Sequence, residues 1–274
     1  MTLLALLPDR GVLAVSGEDR VGFLQGLVSN DVAQARPGRA VWAALLTPQG
    51  KWLADFFILS DGERLLLDCE RIHVPALMQR LTRFRLRARA VVTDVSASWH
   101  VHAAWHGELH SRPGAIVAAD PRLPEAGYRV LAEQVLDTNA DAAAWDTHRL
   151  ALGLPDGSRD LDAEKSVLLE AGFDELHGVS WTKGCYMGQE LTARTKYRGL
   201  IKRRLVPVAI DGVVPPPGTA VLRGGVDVGV MRSARAGMGL ATLRIDALDG
   251  PLTCGGATLR PRLPDWISLP AAAE

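Results

Sequence analysis

The C-terminal part of the chain most restricts what this sequence can fold into. From about residue 201 the sequence breaks into short runs of β-favouring residues separated by glycine and proline, as in "VPVAIDGVVPPPGTAVLRGGVDVGVM". Runs of this length and spacing leave no room for long helices and are typical of a small β-barrel or sandwich. We therefore predict a domain boundary near residue 200, with a separate β domain over residues 201–274.

The first 200 residues mix strands with helices. "VLAVS" at residues 12–16 predicts a short strand, and "VWAALLTPQGKWLADFFILS" predicts two strands joined by a turn at Pro48-Gln49-Gly50. Leucines at helical spacing after Pro75 indicate a helix, and a second helix is expected at about residues 138–151. Residues 1–200 are therefore expected to contain both strands and helices.

Composition argues against a dedicated nucleic-acid-binding protein and against a protein held together by disulfides. The chain has 274 residues, 47% of them hydrophobic, and its 31 basic residues are balanced by 31 acidic ones. It is therefore large enough for a substantial core and has no overall charge that favours nucleic acid. Three cysteines without close pairing indicate a reducing compartment.

The opening residues "MTLLALLPDRG" contain no basic region, and Pro8 cuts the apolar run short. We therefore expect neither a secretory signal, nor a transit peptide, nor a transmembrane helix. Together with the composition, this predicts a cytoplasmic protein with no membrane partner and no nucleic-acid partner.

Two segments alternate polar and apolar residues. "RFRLRARAVVTDV" predicts a strand with one arginine face, which is either a solvated exterior or a surface that meets an anion. "WHVHAAWHGELH" predicts a strand with His100, His102 and His106 on one side. Histidines two apart suit zinc, but zinc needs three or four convergent ligands and the pattern places no other, so we expect surface histidines and no metal site.

The stretch "GVSWTKGCYMGQE" at residues 178–190 is where we expect the chemistry. Cys185 lies in a glycine-punctuated turn near Lys183. A nearby ammonium group and exposed turn amides lower the pKa of a thiol, and the thiolate is its reactive, metal-binding form. The alternative is a structural cysteine in a tight turn. Cys69 and Cys254 are expected to be small buried residues.

The same stretch becomes basic downstream. Between residues 183 and 204 there are seven basic residues, and Glu190 is the single acidic one. In a chain with no net charge, this cluster predicts an anionic partner, which would be a carboxylate-tailed cofactor, a phosphate or a nucleic acid. The alternative is a solvated basic surface.

The eight residues "KGCYMGQE" resemble the signature of the YgfZ family. That family comprises folate-binding proteins that support iron–sulfur cluster assembly and repair. It shares the fold of the glycine-cleavage T-protein, a tetrahydrofolate-dependent aminomethyltransferase. "VSGEDRVGFLQGLVSNDV", "GKWLADFFIL" and the closing "PDW" are also similar to that family. The resemblance implies two intertwined α+β subdomains over residues 1–200, followed by a small C-terminal β-barrel.

The resemblance also implies the site residues. Cys185 matches the functional thiol of the family, and Lys183 accompanies it in the signature. Asp55 falls where T-proteins carry a carboxylate that acts in methylene transfer. A tetrahydrofolate cofactor would be met by the rest of the signature and the start of the basic segment, which are Gly184, Tyr186, Gly188, Gln189, Glu190 and Arg194.

The implied function is that of a folate-binding accessory protein that acts with iron–sulfur assembly or client proteins. Cys185 would serve as a transient ligand of an iron–sulfur cluster or as a redox thiol, because one cysteine does not make the usual four-thiolate site. An RNA-binding accessory protein is a further hypothesis, against which the low aromatic content of 5% counts.

The main alternative is a tetrahydrofolate-dependent aminomethyltransferase. Asp55 favours it, but the sequence departs from the T-protein pattern in three places. Ala54 replaces an acid, Asp68-Cys69-Glu70 replaces an amide that contacts folate, and "LPEAGYRVL" replaces an acidic folate-anchoring motif. These departures weaken the case for aminomethyl transfer.

Overall fold

The structure, a computed structural model, describes residues 1–199 and 201–269. The helices are α1 (Arg20–Gln25), α2 (Val74–Phe84), α3 (Ala142–Leu152) and α4 (Gln189–Tyr197). The strands before α4 are β1 (Leu3–Leu6), β2 (Arg10–Ser16), β3 (Val41–Leu46), β4 (Trp52–Ser60), β5 (Leu65–Glu70), β6 (Val91–Asp94), β7 (His100–Trp105), β8 (Ala115–Ala119) and β9 (Tyr128–Ala132). The strands after α4 are β10 (Arg203–Asp211), β11 (Ala220–Arg223), β12 (Val226–Arg235), β13 (Met238–Arg244), β14 (Leu252–Cys254) and β15 (Ala257–Pro261). Among residues 1–199 and 201–269, no helix is long and apolar enough to cross a membrane.

The first sheet has five antiparallel strands in the order β3-β4-β5-β2-β6. Its β3–β4 hairpin turns at Pro48-Gln49-Gly50, as predicted. Strand β3 is apolar throughout because both of its faces are buried. Trp42 and Leu46 face the core between the two sheets, whereas Val41 and Leu45 face the core under α1 and α2.

The second sheet has four antiparallel strands in the order β1-β7-β9-β8. The chain therefore begins in this sheet with β1, builds the first sheet, and returns with β7, so that the two halves are intertwined. Strand β7 confirms the strand predicted around His100. The prediction of surface histidines is wrong for His102, which is fully buried and whose Nε2 accepts a hydrogen bond from the main-chain N–H of Leu136 (3.3 Å) in the segment that covers it.

The strand predicted over "RFRLRARAVVTDV" is present only as β6, and the prediction is wrong for the alternating arginines. Helix α2 continues through Phe84, a turn follows, and β6 begins only at Val91. An alternating pattern forms a strand only where one face has a partner to pack on. Here Leu77 and Leu81, spaced as in a helix, are buried, and every residue from 82 to 87 is exposed.

The C-terminal strands close into a barrel in the order β10-β13-β12-β11-β14-β15. Its interior is apolar, with Val206, Met231 and Leu259 among the fully buried side chains. The predicted β domain is thus a barrel rather than a sandwich. The predicted boundary at residue 200 falls on Leu200, outside the described residues, and stays a prediction.

A buried ionic network joins α3 to the barrel. The Arg149 guanidinium donates to Asp146 Oδ1 (2.7 Å), to Asp160 Oδ2 (2.7 Å) and to the Ser233 hydroxyl of β12 (2.8 Å). Arg149 and Asp160 are almost completely buried. Since a buried charge is tolerated only with partners, these contacts fix the position of the barrel against the first 200 residues.

Candidate functional site: an exposed cysteine on an anchored loop

Residues 178–190, hereafter the thiol loop, lie against the segment that follows α1. The main-chain N–H of Ser180 donates to the Ser29 carbonyl (3.0 Å), and that of Met187 donates to the Gly26 carbonyl (3.2 Å). These bonds join parts of the chain that are far apart in sequence. The loop is therefore tied to the body of the protein on both sides of its cysteine.

Lys183 points into the protein. Its ammonium group donates to the carbonyl oxygens of Val28 (2.7 Å) and Asn30 (2.8 Å), and it lies 5.2 Å from the centroid of the Tyr186 ring. Burial lowers the pKa of Lys183 to about 8. The predicted activation of the Cys185 thiol by this ammonium group has no contact to support it, because the group is bonded to main-chain carbonyls. We interpret Lys183 as an anchor of the loop.

Tyr186 and Gly188 hold the loop on the other side of the cysteine. The Tyr186 side chain packs into the core between the two sheets, and burial raises its pKa to about 12. Gly188 has a φ of +81°, and a Cβ atom there would lie 2.7 Å from the Thr47 carbonyl oxygen and 2.9 Å from Gly50 Cα. Only glycine permits this approach to the β3–β4 turn.

Between these anchors, Cys185 is exposed to solvent, whereas Cys69 and Cys254 are buried, as predicted. Desolvation raises the pKa of Cys69 to about 12 and also raises that of Cys254. A buried thiol of raised pKa is inert, because the thiolate is the nucleophile and the metal ligand. Cys185 is thus the cysteine that another molecule can reach.

The remaining predicted cofactor residues lie on the outer side of the loop and on α4. Gly184 is exposed, and a Cβ atom there would meet no atom within 4 Å. Gln189 begins α4 and is half-buried, while Glu190 and Arg194 are exposed. The structure brings these residues together along one surface segment.

Asp55 is buried in the interior and is clamped by two tryptophans. Its Oδ2 accepts a hydrogen bond from the Trp42 indole N–H (2.9 Å), and its Oδ1 accepts one from the Trp52 indole N–H (3.0 Å). Desolvation raises the pKa of Asp55 to about 6. No pattern in the sequence predicts this clamp. Trp52 would face away from Asp55 in a regular strand, but the pairing of β4 with β3 skips Leu53.

A folate site needs polar groups that converge on an open pocket. Both oxygens of Asp55 are engaged, and only 5% of this residue is exposed. A cavity of about 680 Å³ does lie beside the thiol loop, and its lining includes Asn30, Gln34, Arg39, His177, Ser180 and Trp181. None of the predicted cofactor residues lines it. The residues implied by the resemblance thus do not line this cavity, and folate binding stays a prediction.

The described residues also contain no group of three or more His, Cys, Asp or Glu side chains arranged to hold a metal ion. The chemical capacity of the site is accordingly narrow. It offers one accessible sulfur atom on a fixed loop.

The chain has the fold of the glycine-cleavage T-protein. The glycine cleavage system aminomethyltransferase T from Bartonella henselae matches it with a TM-score of 0.72, over 97% of this chain and 86% of that one. Their sequence identity is 14%, so this likeness shows the fold alone. A family model described as the CAF17 C-terminal beta-barrel domain matches residues 202–269. The chain is thus a T-protein-like α+β protein with a CAF17-type barrel.

Three relatives show which family within this class it belongs to. The mitochondrial iron–sulfur cluster assembly factor IBA57 of Homo sapiens is 33% identical, over 95% of this chain and 84% of that protein. IBA57 of Mus musculus is 31% identical, over 90% of this chain and 78% of that protein. The mitochondrial homologue from Mycosarcoma maydis is 40% identical, over 78% of this chain and 59% of its own length. The chain belongs to the IBA57 family of iron–sulfur cluster assembly factors.

These relatives confirm one prediction in part and correct another. The resemblance to the YgfZ family is confirmed for the fold and for the kind of assembly factor, and the narrower family name stays a prediction. The prediction of a cytoplasmic protein is wrong, because the relatives named above are mitochondrial. Free cysteines indicate a reducing compartment without distinguishing which one.

Proposed function

We propose that this protein is an iron–sulfur cluster assembly factor in which the Cys185 thiolate is a transient ligand of a cluster held by a partner protein. The observation that carries this proposal is the exposure of Cys185 on a loop anchored by Lys183 and Tyr186. A thiolate is the usual ligand of such clusters. A sulfur atom at a fixed place on the surface is ready to enter the coordination shell of a cluster on another molecule.

The cluster is cargo in this proposal. One cysteine leaves the other coordination positions of a cluster unfilled, so the partner supplies the remaining ligands. Cys69 and Cys254 are buried and do not contribute. The cluster therefore lies between two proteins, and docking of the partner controls when Cys185 becomes a ligand.

The surface next to the thiol loop favours an acidic partner. Lys196 and Arg204 are paired with Asp174 (2.9 Å) and Glu175 (2.7 Å), respectively. Four neighbouring basic residues are exposed and form no salt bridge with any described residue; these are Arg194, Arg198, Lys202 and Arg203. Complementary charge of this kind accelerates association and orients the partner.

The proposal is tested by complementation in the host. The gene is replaced with a Cys185→Ala variant or with a Cys254→Ala variant, the matched control in which a buried cysteine is lost. The activity of a [4Fe–4S] enzyme and the flux through glycine cleavage are measured in parallel. We expect the cluster enzyme to fail only with Cys185→Ala, and glycine cleavage to be unchanged in both strains. Loss of glycine cleavage with Cys185→Ala would instead identify a transferase.

Folate binding and aminomethyl transfer stay predictions. The clamp on Asp55 does not support them, and no step of the proposed function passes through a folate. The same holds for a redox role of Cys185 and for RNA binding by the basic segment.

A further inference from the structure

A second basic surface lies at the end of α2. Between Glu70 and Asp94 the chain has six arginines and no acidic residue. Arg89 forms salt bridges with Glu18 and Asp19, and Arg71 donates to the Pro8 carbonyl. The other four arginines are exposed and have no carboxylate partner among residues 1–199 and 201–269; these are Arg80, Arg83, Arg85 and Arg87.

Two apolar side chains project among these arginines. Leu86 is 85% exposed and Phe84 is 38% exposed. Leu86 has a φ of +47°, a left-handed conformation that is unfavourable for a leucine. The turn thus exposes the Leu86 side chain to water, where this side chain contributes no free energy of burial to folding. Val91, at the start of the edge strand β6, adds a side chain that is 51% exposed.

We propose that the end of α2 and the turn that follows it, residues 80–87 and hereafter the arginine turn, dock on a membrane surface that contains anionic phospholipids. The arginines would contact the headgroup phosphates, and Leu86 and Phe84 would enter the boundary between the headgroups and the acyl chains. Exposed apolar side chains flanked by arginine have the composition of interfacial membrane-binding segments. A surface contact needs no spanning helix, so it is compatible with the absence of one among the described residues. The proposal departs from the sequence-based prediction of no membrane partner, which rested on the lack of an apolar span.

The chemistry of the arginine turn favours lipid over other anions. An RNA surface would need aromatic platforms for stacking, and Phe84 is the single aromatic residue here. An acidic protein would satisfy the arginines but would need a separate apolar pocket to receive the protruding Leu86. An anionic bilayer satisfies both groups at once, because phosphate lies directly above hydrocarbon.

The test is co-sedimentation of the full chain with vesicles. Vesicles of phosphatidylcholine alone are compared with vesicles that contain phosphatidylcholine and phosphatidylglycerol in equal molar amounts. The test variants are Leu86→Ser and the double variant Arg83→Gln/Arg87→Gln. Val213→Ser, at an apolar position that is 83% exposed on the barrel, is the control for the leucine. Arg260→Gln/Arg262→Gln, at two exposed barrel arginines, is the control for the charges.

We expect binding to the phosphatidylglycerol vesicles and little binding to phosphatidylcholine alone. The Arg83→Gln/Arg87→Gln variant should bind about 25-fold more weakly, since each arginine near an anionic surface contributes about fivefold. Leu86→Ser should bind roughly fivefold or more weakly, because it removes inserted apolar area. Both barrel controls should bind like the wild type, and circular dichroism should show that all variants are folded.

Three results would overturn the proposal. These are equal binding to both kinds of vesicle, equal losses in the test and control variants, or unchanged binding of Leu86→Ser. Binding to polyglutamate or to RNA that is lost in Arg83→Gln/Arg87→Gln, in the absence of binding to phosphatidylglycerol, would assign the arginine turn to an acidic protein or to nucleic acid instead. None of these results depends on Cys185, so they are independent of the proposed role in cluster assembly.

Discussion

The Lys183 ammonium group lies 2.8 Å from the carbonyl oxygen of Asn30, and this bond joins the thiol loop to the segment after α1. The Asn30 side chain donates in turn to the Trp42 and His177 carbonyls, at 2.8 and 2.6 Å. Asn30 therefore connects β3, the residue just before the thiol loop and the lysine two positions before the cysteine. The position of Cys185 follows from this connection.

Replacement of Lys183 should free the loop without unfolding the protein. Lys183→Met removes two hydrogen bonds from a charged donor, and we expect a local loss of about 2 kcal/mol. Hydrogen exchange of the thiol-loop amides should accelerate, and cluster maturation should fall. Lys202→Met removes an exposed lysine from the same basic segment and is the matched control. Equal exchange rates in the two variants would show that Lys183 is not an anchor.

The two glycines that flank Cys185 should respond differently to alanine. Gly188→Ala places a Cβ atom against the β3–β4 turn and forces alanine to a φ of +81°, so it should destabilise the protein by about 3 kcal/mol. Gly184→Ala should leave the free energy of unfolding nearly unchanged, because its Cβ atom points into open space. Urea denaturation of both variants measures the difference. A stable Gly188→Ala protein would contradict the described packing of the loop.

Asp55 should make stability depend on pH. Its folded pKa of about 6 lies above the ordinary value of 3.8, so the folded protein binds the proton more tightly than the unfolded chain does. The resulting stabilisation is complete below the ordinary value and is lost as the pH rises through about 6. Relative to Asp55→Asn, the free energy of unfolding of the wild type should fall by up to roughly 3 kcal/mol between about pH 4 and pH 7. Parallel pH profiles for the two proteins would refute the burial of this carboxylate.

Cysteine labelling should be selective. Brief treatment of the native protein with iodoacetamide should modify Cys185, because it is exposed. Cys69 should stay unmodified until the protein unfolds, since burial hides it and raises its pKa to about 12. Peptide mass spectrometry of native and urea-unfolded samples gives the extent of labelling at each position. Similar labelling of Cys185 and Cys69 in the native protein would contradict the structure.

Local patterns predicted much of the fold. The hairpin at Pro48-Gln49-Gly50 and the C-terminal barrel follow from β-favouring residues punctuated by turn residues. Residues 83–90 were mistaken for part of a strand because alternation alone does not reveal which face has a partner. Leu77 and Leu81 lie on one face of a helix, and their burial stabilises α2.

The candidate site was predicted less completely. The signature picks out Cys185, which is exposed, and its functional role stays a prediction. The orientation of Lys183 depends on the carbonyls of Val28 and Asn30, which no local pattern links to it. The clamp on Asp55 depends on an irregularity in the pairing of β3 with β4. The alternation of polar and apolar residues in the sequence does not predict such an irregularity.

The most direct test of the central claim examines the cluster itself. The complex of this protein with its iron–sulfur partner is isolated from cells that express either the wild type or Cys185→Ser, and its iron content and visible absorption are measured. If Cys185 is a ligand, the wild-type complex carries a cluster whose sulfur-to-iron absorption bands are shifted or lost in the variant. Identical iron content and identical spectra in the two complexes would contradict the account.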